Sequence, residues 1–229
     1  MAVDPEYIRQ LNDYLNSDDQ VETSEETEHS EVLAGNVPIQ EVRDTEQSLL
    51  SLVIDKSTSM VYNGLANGVR QGLVDVKRVV NGCKEVDCIQ TAMTFFGSTL
   101  DMRPFQYGEK IDISYEANET STRLYDAVVE SCKNMVAQYD ALESHCTVKG
   151  VMLIFTDGEE NSSEVYRRVE DVQNALDELT TREIRYLVAA FKGANVEQLA
   201  KDFKTEPIII DDDHKLRRLM RFTSKTAMK

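Results

Sequence analysis

Oxygen-bearing side chains alternate along one short segment, directly after an apolar run at residues 49–54. The segment is Asp55-Lys56-Ser57-Thr58-Ser59. One carboxylate and two hydroxyls at alternate positions are hard oxygen ligands, which suit Mg²⁺, Mn²⁺ or Ca²⁺ rather than zinc. They carry too little negative charge to hold such a cation alone. Further ligands are therefore expected elsewhere in the chain.

Two other segments offer the missing oxygens. Thr122 precedes a stretch of helical periodicity, and Asp157 follows an apolar run at residues 150–156. Ligands of open parallel sheets bind beyond the carboxyl ends of the strands, where the order of connection changes direction. We therefore expect Asp55 and Asp157 to lie side by side at one edge of a sheet.

The three segments, in this order and at this separation, resemble the metal-ion-dependent adhesion site (MIDAS) of the von Willebrand factor type A (vWA) domain. The resemblance covers residues 46–229, the chain apart from an N-terminal arm. In one departure, the loop before the threonine often carries glycines, and here it reads Glu119-Thr120-Ser121. The resemblance implies hydroxyl ligands and two aspartates that bind the metal directly or through water. These implied ligands are Asp55, Ser57, Ser59, Thr122 and Asp157.

The resemblance also implies a function. A cation in such a site keeps one open coordination position, which an Asp or Glu of a protein partner would fill. The implied role is an adaptor or scaffold domain in an intracellular bacterial or phage protein. Mg²⁺ is the expected ion because it tolerates several bound waters, with Mn²⁺ and Ca²⁺ as alternatives.

Strand-length apolar runs alternate with helix-period segments from residue 48 onward, which is typical of a parallel sheet covered by helices on both faces. The predicted fold is a Rossmann-like, doubly wound α/β sheet of six strands, mostly parallel. A turn at Gly97-Ser98 joins two strands and makes one edge strand antiparallel. Helices are predicted over residues 63–81, 122–142, 163–179, 196–203 and after 213. In the first helix, Gly64, Gly68 and Gly72 share a face on which we expect close approach to the sheet or the metal loops.

The N-terminal arm, residues 1–45, is strongly acidic. It holds 12 acidic and 2 basic residues, so it contributes −10 to the net charge of −16. Residues 5–15 carry apolar side chains at helical spacing, whereas residues 16–31 are polar and predict a flexible tail. A tail carboxylate could fill the open metal position in cis, or in trans through self-association. The basic side of the last helix would face water, bind a partner or dock this arm.

Composition disfavours several functions. Excess negative charge repels nucleic acid and anionic membranes, and the sequence contains neither a targeting region nor an apolar stretch of membrane-spanning length. The cysteines follow no zinc or redox spacing. Interpreted as reduced thiols, they favour a cytoplasmic location. They are Cys83, Cys88, Cys132 and Cys146.

Two alternatives use the same metal. Phosphatases of the haloacid dehalogenase type also place an aspartate after the first strand, but they need a second acid two residues later, where this chain has Ser57. A hydroxyl cannot act as that general acid at neutral pH. The histidines at positions 29, 145 and 214 do not combine with a nucleophile. We therefore expect no catalysis, and a purely structural metal is the remaining alternative.

Overall fold

The computed structural model describes residues 5–16, 46–82, 88–157 and 160–227. Within them, no helix is both long and apolar enough to span a membrane. The strands are β1 (Glu46–Asp55), β2 (Ile89–Phe96), β3 (Leu100–Tyr107), β4 (Thr147–Thr156), β5 (Arg185–Phe191) and β6 (Ile208–Ile210). The helices are α1 (Pro5–Asn16), α2 (Ser59–Tyr62), α3 (Ala66–Asn81), α4 (Leu124–Glu143), α5 (Val169–Thr181), α6 (Val196–Phe203) and α7 (Asp213–Ala227).

One sheet contains all six strands, in the order β3-β2-β1-β4-β5-β6. Strand β1 pairs in parallel with β2 and β4, and β5 and β6 continue the parallel arrangement. Strand β3 runs antiparallel to β2 at one edge. The chain adds strands first on one side of β1 and then, from β4, on the other. The predicted doubly wound α/β sheet with one antiparallel edge strand is confirmed.

The central strand β1 is apolar on both faces because helices cover both. Leu50, Leu52 and Ile54 are fully buried in the core shared with α3 and α7. Leu49 and Val53 point to the opposite face and pack with residues of α4, α5 and α6. Successive side chains of a strand alternate between faces, so a strand covered on both sides needs a continuous apolar run. Packing on both faces of the sheet therefore fixes the position at which β1 ends.

Two helix predictions were wrong at their starts. The helix predicted over residues 63–81 begins instead at Ala66, as α3, and a turn in which Gly64 has a φ of +74° separates it from the short helix α2 that precedes it. Glycine adopts this left-handed conformation without strain. The helix predicted from residue 163 begins at Val169. Main-chain N–H groups of residues 164–166 instead donate to the buried Asp126 carboxylate, which satisfies them outside a helix.

The glycines of α3 face the C-terminal helix α7, not the sheet or the metal loops. A Cβ atom at Gly68 would overlap Asp213 Oδ1, and one at Gly72 would overlap Met220 Sδ. The expected close approach therefore exists at Gly68 and Gly72 but not at Gly64, where a Cβ atom would meet nothing within 4 Å, and the predicted neighbours were wrong. In the same interface Arg217 of α7 donates to the buried carboxylate of Asp75 at 2.9 Å. Part of the basic side of α7 is thus used within the domain.

Helix α1 packs against α7. Leu11 is fully buried, and the ring of Tyr14 lies 5.5 Å from that of Phe222. The Arg218 guanidinium stacks over Tyr14 at 5.0 Å and donates to its main-chain oxygen. The flexible acidic tail predicted over residues 16–31 lies outside the described residues, apart from Asn16 at the end of α1.

Replacing Leu11 by alanine tests whether α1 stabilises the domain. Removing a fully buried leucine should lower the free energy of unfolding by about 2–5 kcal/mol, through lost burial and a residual cavity. Asn12→Ala, at an exposed position of the same helix, should change it by less than about 0.5 kcal/mol. Urea unfolding followed by circular dichroism measures both. Equal midpoints for the two variants would show that α1 adds nothing to stability.

Candidate metal site

The two aspartates lie at the end of neighbouring strands. Asp55 is the last residue of β1, and Asp157 directly follows β4. These strands are parallel, with Ile54 opposite Phe155, so both carboxylates reach the same edge of the sheet. The order of strand addition changes direction between these two strands. Ligands of open α/β sheets bind at such a position.

A chain of hydrogen bonds connects four of the candidate ligands. The Ser57 main-chain N–H donates to Asp55 Oδ1 at 2.7 Å. The hydroxyl oxygens of Ser57 and Ser59 lie 2.7 Å apart, and the Ser59 hydroxyl donates to Asp157 Oδ2. The alternate positions in the sequence therefore converge on one point in space.

Asp55 occupies an environment that disfavours its negative charge. Burial of the carboxyl group, together with repulsion from Asp157, raises the pKa of Asp55 from 3.8 to about 7. Hydrogen bonds from Ser57 and from the Asp157 main chain act in the opposite direction but do not outweigh burial. The Asp55 main-chain oxygen accepts a hydrogen bond from Tyr115 Oη at 2.7 Å. A cation between the two carboxylates would relieve their repulsion.

Thr122 joins the site through the main chain of its loop. It is buried, and its N–H donates to Asn161 Oδ1 at 2.8 Å. Its main-chain oxygen accepts N–H groups from Asn161 and Ser162, each at 3.2 Å. On the other side, the Thr58 N–H donates to the main-chain oxygen of Glu119 at 2.7 Å. The threonine loop is therefore attached to the loops that carry the serines and Asp157.

Sequence reasoning missed the residues that orient the loop after β4. Glu160 accepts N–H groups from Ser162, Ser163 and Tyr125 at 3.1, 2.8 and 2.7 Å. Because Tyr125 lies in the first turn of α4, Glu160 ties the loop to the start of that helix. Acidic residues after a strand-terminal aspartate are common in turns, so their spacing alone gave no sign of this role.

Asp126 provides a second attachment for the same loop. Besides the N–H groups of residues 164–166, its carboxylate accepts bonds from Arg123 Nε and Nη2 at 3.0 and 2.7 Å. Burial disfavours the charged form of Asp126, but these hydrogen bonds outweigh it and lower its pKa. The carboxylate therefore remains ionised while it holds the loop.

The donor set fits a hard divalent cation. Within the described residues, no group of three or more His, Cys, Asp or Glu side chains is placed to hold a metal. A cation at this edge would thus depend on hydroxyl oxygens as well as on two carboxylates. The Ser57 and Ser59 hydroxyls are hydrogen-bonded beside these carboxylates, and Thr122 stays a predicted third hydroxyl ligand. An all-oxygen set favours Mg²⁺, Mn²⁺ or Ca²⁺.

Known structures share this architecture at low sequence identity. No family model matches the sequence, and no curated protein is significantly similar to it. The pilus adhesin SpaC from Lactobacillus rhamnosus GG is 10% identical, with a TM-score of 0.62, over 81% of this chain and 30% of its own. A vWA protein from Catenulispora acidiphila is 13% identical, with a TM-score of 0.58, over 80% and 43%. Mussel byssus proximal thread matrix protein 1, in a structure with a zinc-occupied MIDAS motif, is 14% identical, with a TM-score of 0.56, over 77% and 47%.

The chain therefore has the fold of vWA domains. It spans less than half the length of each of these three proteins. The similarity establishes the fold, and it agrees with the fold that the sequence motifs implied. The intracellular bacterial or phage origin stays a prediction.

Removing two hydroxyl donors tests the ligand assignment. The double variant Ser57→Ala/Ser59→Ala should abolish Mg²⁺ and Mn²⁺ binding measured by calorimetry, because too few oxygens remain beside the two carboxylates. Ser144→Ala is the control, since Ser144 is exposed at the far end of α4. Unchanged affinity in the double variant would refute the assignment.

The raised pKa of Asp55 predicts pH-dependent metal binding. A cation needs the ionised carboxylate, so Mn²⁺ affinity should fall as the pH drops below about 7, and binding near that pH should release a proton. Without metal, the folded domain keeps a proton that the unfolded chain loses above about pH 4. The stability of the metal-free domain should therefore decrease as the pH rises from about 4 to about 7.

Calorimetry in buffers of different ionisation enthalpy counts the released protons. An affinity that does not change between about pH 6 and 8, with no proton release, would contradict this prediction.

Proposed function

We propose that this chain is a metal-dependent protein-binding domain, an adaptor or scaffold, that engages a carboxylate of its partner. The observation that carries the proposal is the hydrogen-bonded series Asp55–Ser57–Ser59–Asp157 at the point where the sheet changes direction. The shared vWA fold supports it, as does the occupied MIDAS motif of the mussel protein.

The proposed ion is Mg²⁺, with Mn²⁺ or Ca²⁺ as alternatives. When bound, it would supply a positive charge with a coordination position open to another protein. Three of the proposed ligands are neutral hydroxyls, so they add oxygens without adding negative charge. This balance keeps the site attractive to an Asp or Glu side chain. The proposed ligands are Asp55, Ser57, Ser59, Thr122 and Asp157.

Exposed apolar side chains near the site favour a protein as the partner. Tyr62 is 87% exposed. It follows Ser59 by three positions on α2, which places the two residues on one side of the turn. Val165, 67% exposed, lies in the loop that Asn161 ties to Thr122. Apolar groups around a polar centre are typical of protein interaction surfaces.

We propose no catalytic activity. Ser57 occupies the position where a haloacid dehalogenase-type hydrolase needs an acid, and a hydroxyl has too high a pKa for that role. His145 precedes β4 and Asp157 follows it, so the two residues lie at opposite ends of that strand. The net charge of −16 argues against nucleic acid and membranes as partners. A cytoplasmic location is part of the same proposal.

Peptide display tests the proposed binding. Random peptides captured by the domain in Mg²⁺ and released by EDTA should share an Asp or Glu, because a carboxylate is the ligand that the cation accepts. Asp157→Ala should lose this capture with unchanged circular dichroism. Capture that survives EDTA would point to another surface, with the basic side of α7 as the first candidate.

Two further variants separate the partner surface from the metal. Tyr62→Ser should keep the metal affinity but bind selected peptides at least about tenfold more weakly, as expected for an exposed aromatic anchor. Met102→Ser on β3, also an exposed apolar position, should bind as the wild type does. Unfolding of Asp157→Ala would favour a structural metal. Mg²⁺-dependent hydrolysis of p-nitrophenyl phosphate would favour an enzyme.

A further inference from the structure

An ion pair between Lys56 and Glu119 lies at the centre of the loops around the site. Lys56 Nζ is 2.8 Å from Glu119 Oε1, and the two side chains are only 13% and 16% exposed. The same carboxylate accepts the Thr99 N–H and the Thr99 hydroxyl, both at 2.7 Å, and the Ser98 hydroxyl at 2.9 Å. One carboxylate therefore joins the loop after β1, the turn between β2 and β3, and the threonine loop.

Main-chain hydrogen bonds align these loops with one another. The Glu119 N–H donates to the Lys56 oxygen at 3.3 Å, which together with the bond from Thr58 pairs the two segments in parallel. Four residues later, the Arg123 N–H donates to the Gly97 oxygen at 3.0 Å. Thr122 lies between these two attachments, so its position depends on both.

The fit around Glu119 is close. A Cβ atom at Gly97 would stand 2.6 Å from Glu119 Cβ, nearer than side chains tolerate. Burial disfavours the charged form of Glu119, but hydrogen bonds from Lys56, Thr99 and Ser98 outweigh it and lower its pKa to about 2. The carboxylate is therefore ionised throughout the neutral range and stays paired.

We infer that the Lys56–Glu119 pair is a positioning device that holds Thr122 in place beside Ser57 and Ser59, and that it sets the metal affinity without contacting the metal. This inference rests on the metal site of the proposed function, and not on its carboxylate partner. Lys56 also neutralises Glu119, which keeps a third anion from competing for the cation.

Mn²⁺ titration calorimetry on matched variants tests the inference. Glu119→Gln keeps the side-chain length but loses the ion pair, and Lys56→Met keeps the aliphatic stem. Each should weaken Mn²⁺ binding by about 10- to 100-fold, the range for partners that orient metal ligands. The double variant should be no weaker than the weaker single variant, because the two side chains act as one unit.

A matched control removes a comparable ion pair far from the site. Asp140 and Arg182 pair at 2.7 Å near the last turns of α4 and α5. Asp140→Asn makes the same chemical change as Glu119→Gln, but near the amino-terminal ends of the parallel strands, away from the candidate site. It should bind Mn²⁺ with wild-type affinity.

Amide hydrogen exchange of the metal-free protein distinguishes a local change in the loops from a general loss of stability. Glu119→Gln should accelerate exchange at the Thr58 and Arg123 amides and leave the amides of β1 and β4 unchanged. Accelerated exchange throughout the sheet, or a lower melting temperature with unchanged Mn²⁺ affinity, would mean that the pair only stabilises the fold and would overturn the inference.

The outcomes separate this inference from the proposed function. A wild type that binds Mn²⁺ and carboxylate peptides, with Glu119→Gln equal to it in affinity, overturns the inference alone. A wild type that binds Mn²⁺ but no carboxylate peptide, with Glu119→Gln weakened, overturns the proposed function and supports the positioning role. A wild type that binds no Mn²⁺ overturns both.

Discussion

Two carboxylates of like charge, buried at the ends of neighbouring parallel strands, are the constraint on which the rest of this structure depends. Asp55 has no exposed surface and Asp157 very little, and their repulsion adds to the burial that raises the pKa of Asp55. Such an arrangement is unfavourable unless a proton or a cation balances it. The apolar strands β1 and β4 hold it in place, because a shift of either strand would expose its core side chains.

The loops above the sheet convert this constraint into a defined site. They contain little regular structure, so their main-chain N–H and C=O groups need hydrogen-bond partners outside helices and sheets. Buried or half-buried carboxylates supply them: Asp126 and Glu160 accept N–H groups of the loop after β4, and Glu119 accepts the Thr99 N–H of the β2–β3 turn. A buried polar network of this kind specifies one geometry when its members are satisfied. Negative charge in these loops thus orders the main chain as well as forming part of the candidate metal site.

On another side of the domain, basic residues likewise form contacts within the fold. Arg217 pairs with the buried Asp75 of α3, and Arg218 stacks on Tyr14 of α1. Helix α7 thereby links the first described helix to the sheet, and the small residues Gly68 and Gly72 let α3 and α7 come close. The charges that were candidates for a partner surface are in part internal contacts of the fold.

The sequence by itself determined the sheet, its edge strand and the proximity of Asp55, Ser57, Ser59 and Asp157, because apolar periodicity and strand-terminal oxygen residues are local signals. It did not determine where α5 begins. The helix starts at Val169 because the preceding loop donates its N–H groups to Asp126, which lies 38 to 40 residues earlier in the chain. Nor did the sequence identify the partner of the α3 glycines, or the bonds of Lys56 and Glu119, which lie 63 positions apart by number. Only the tertiary structure decided these features, because each depends on a contact between groups that are far apart in the sequence.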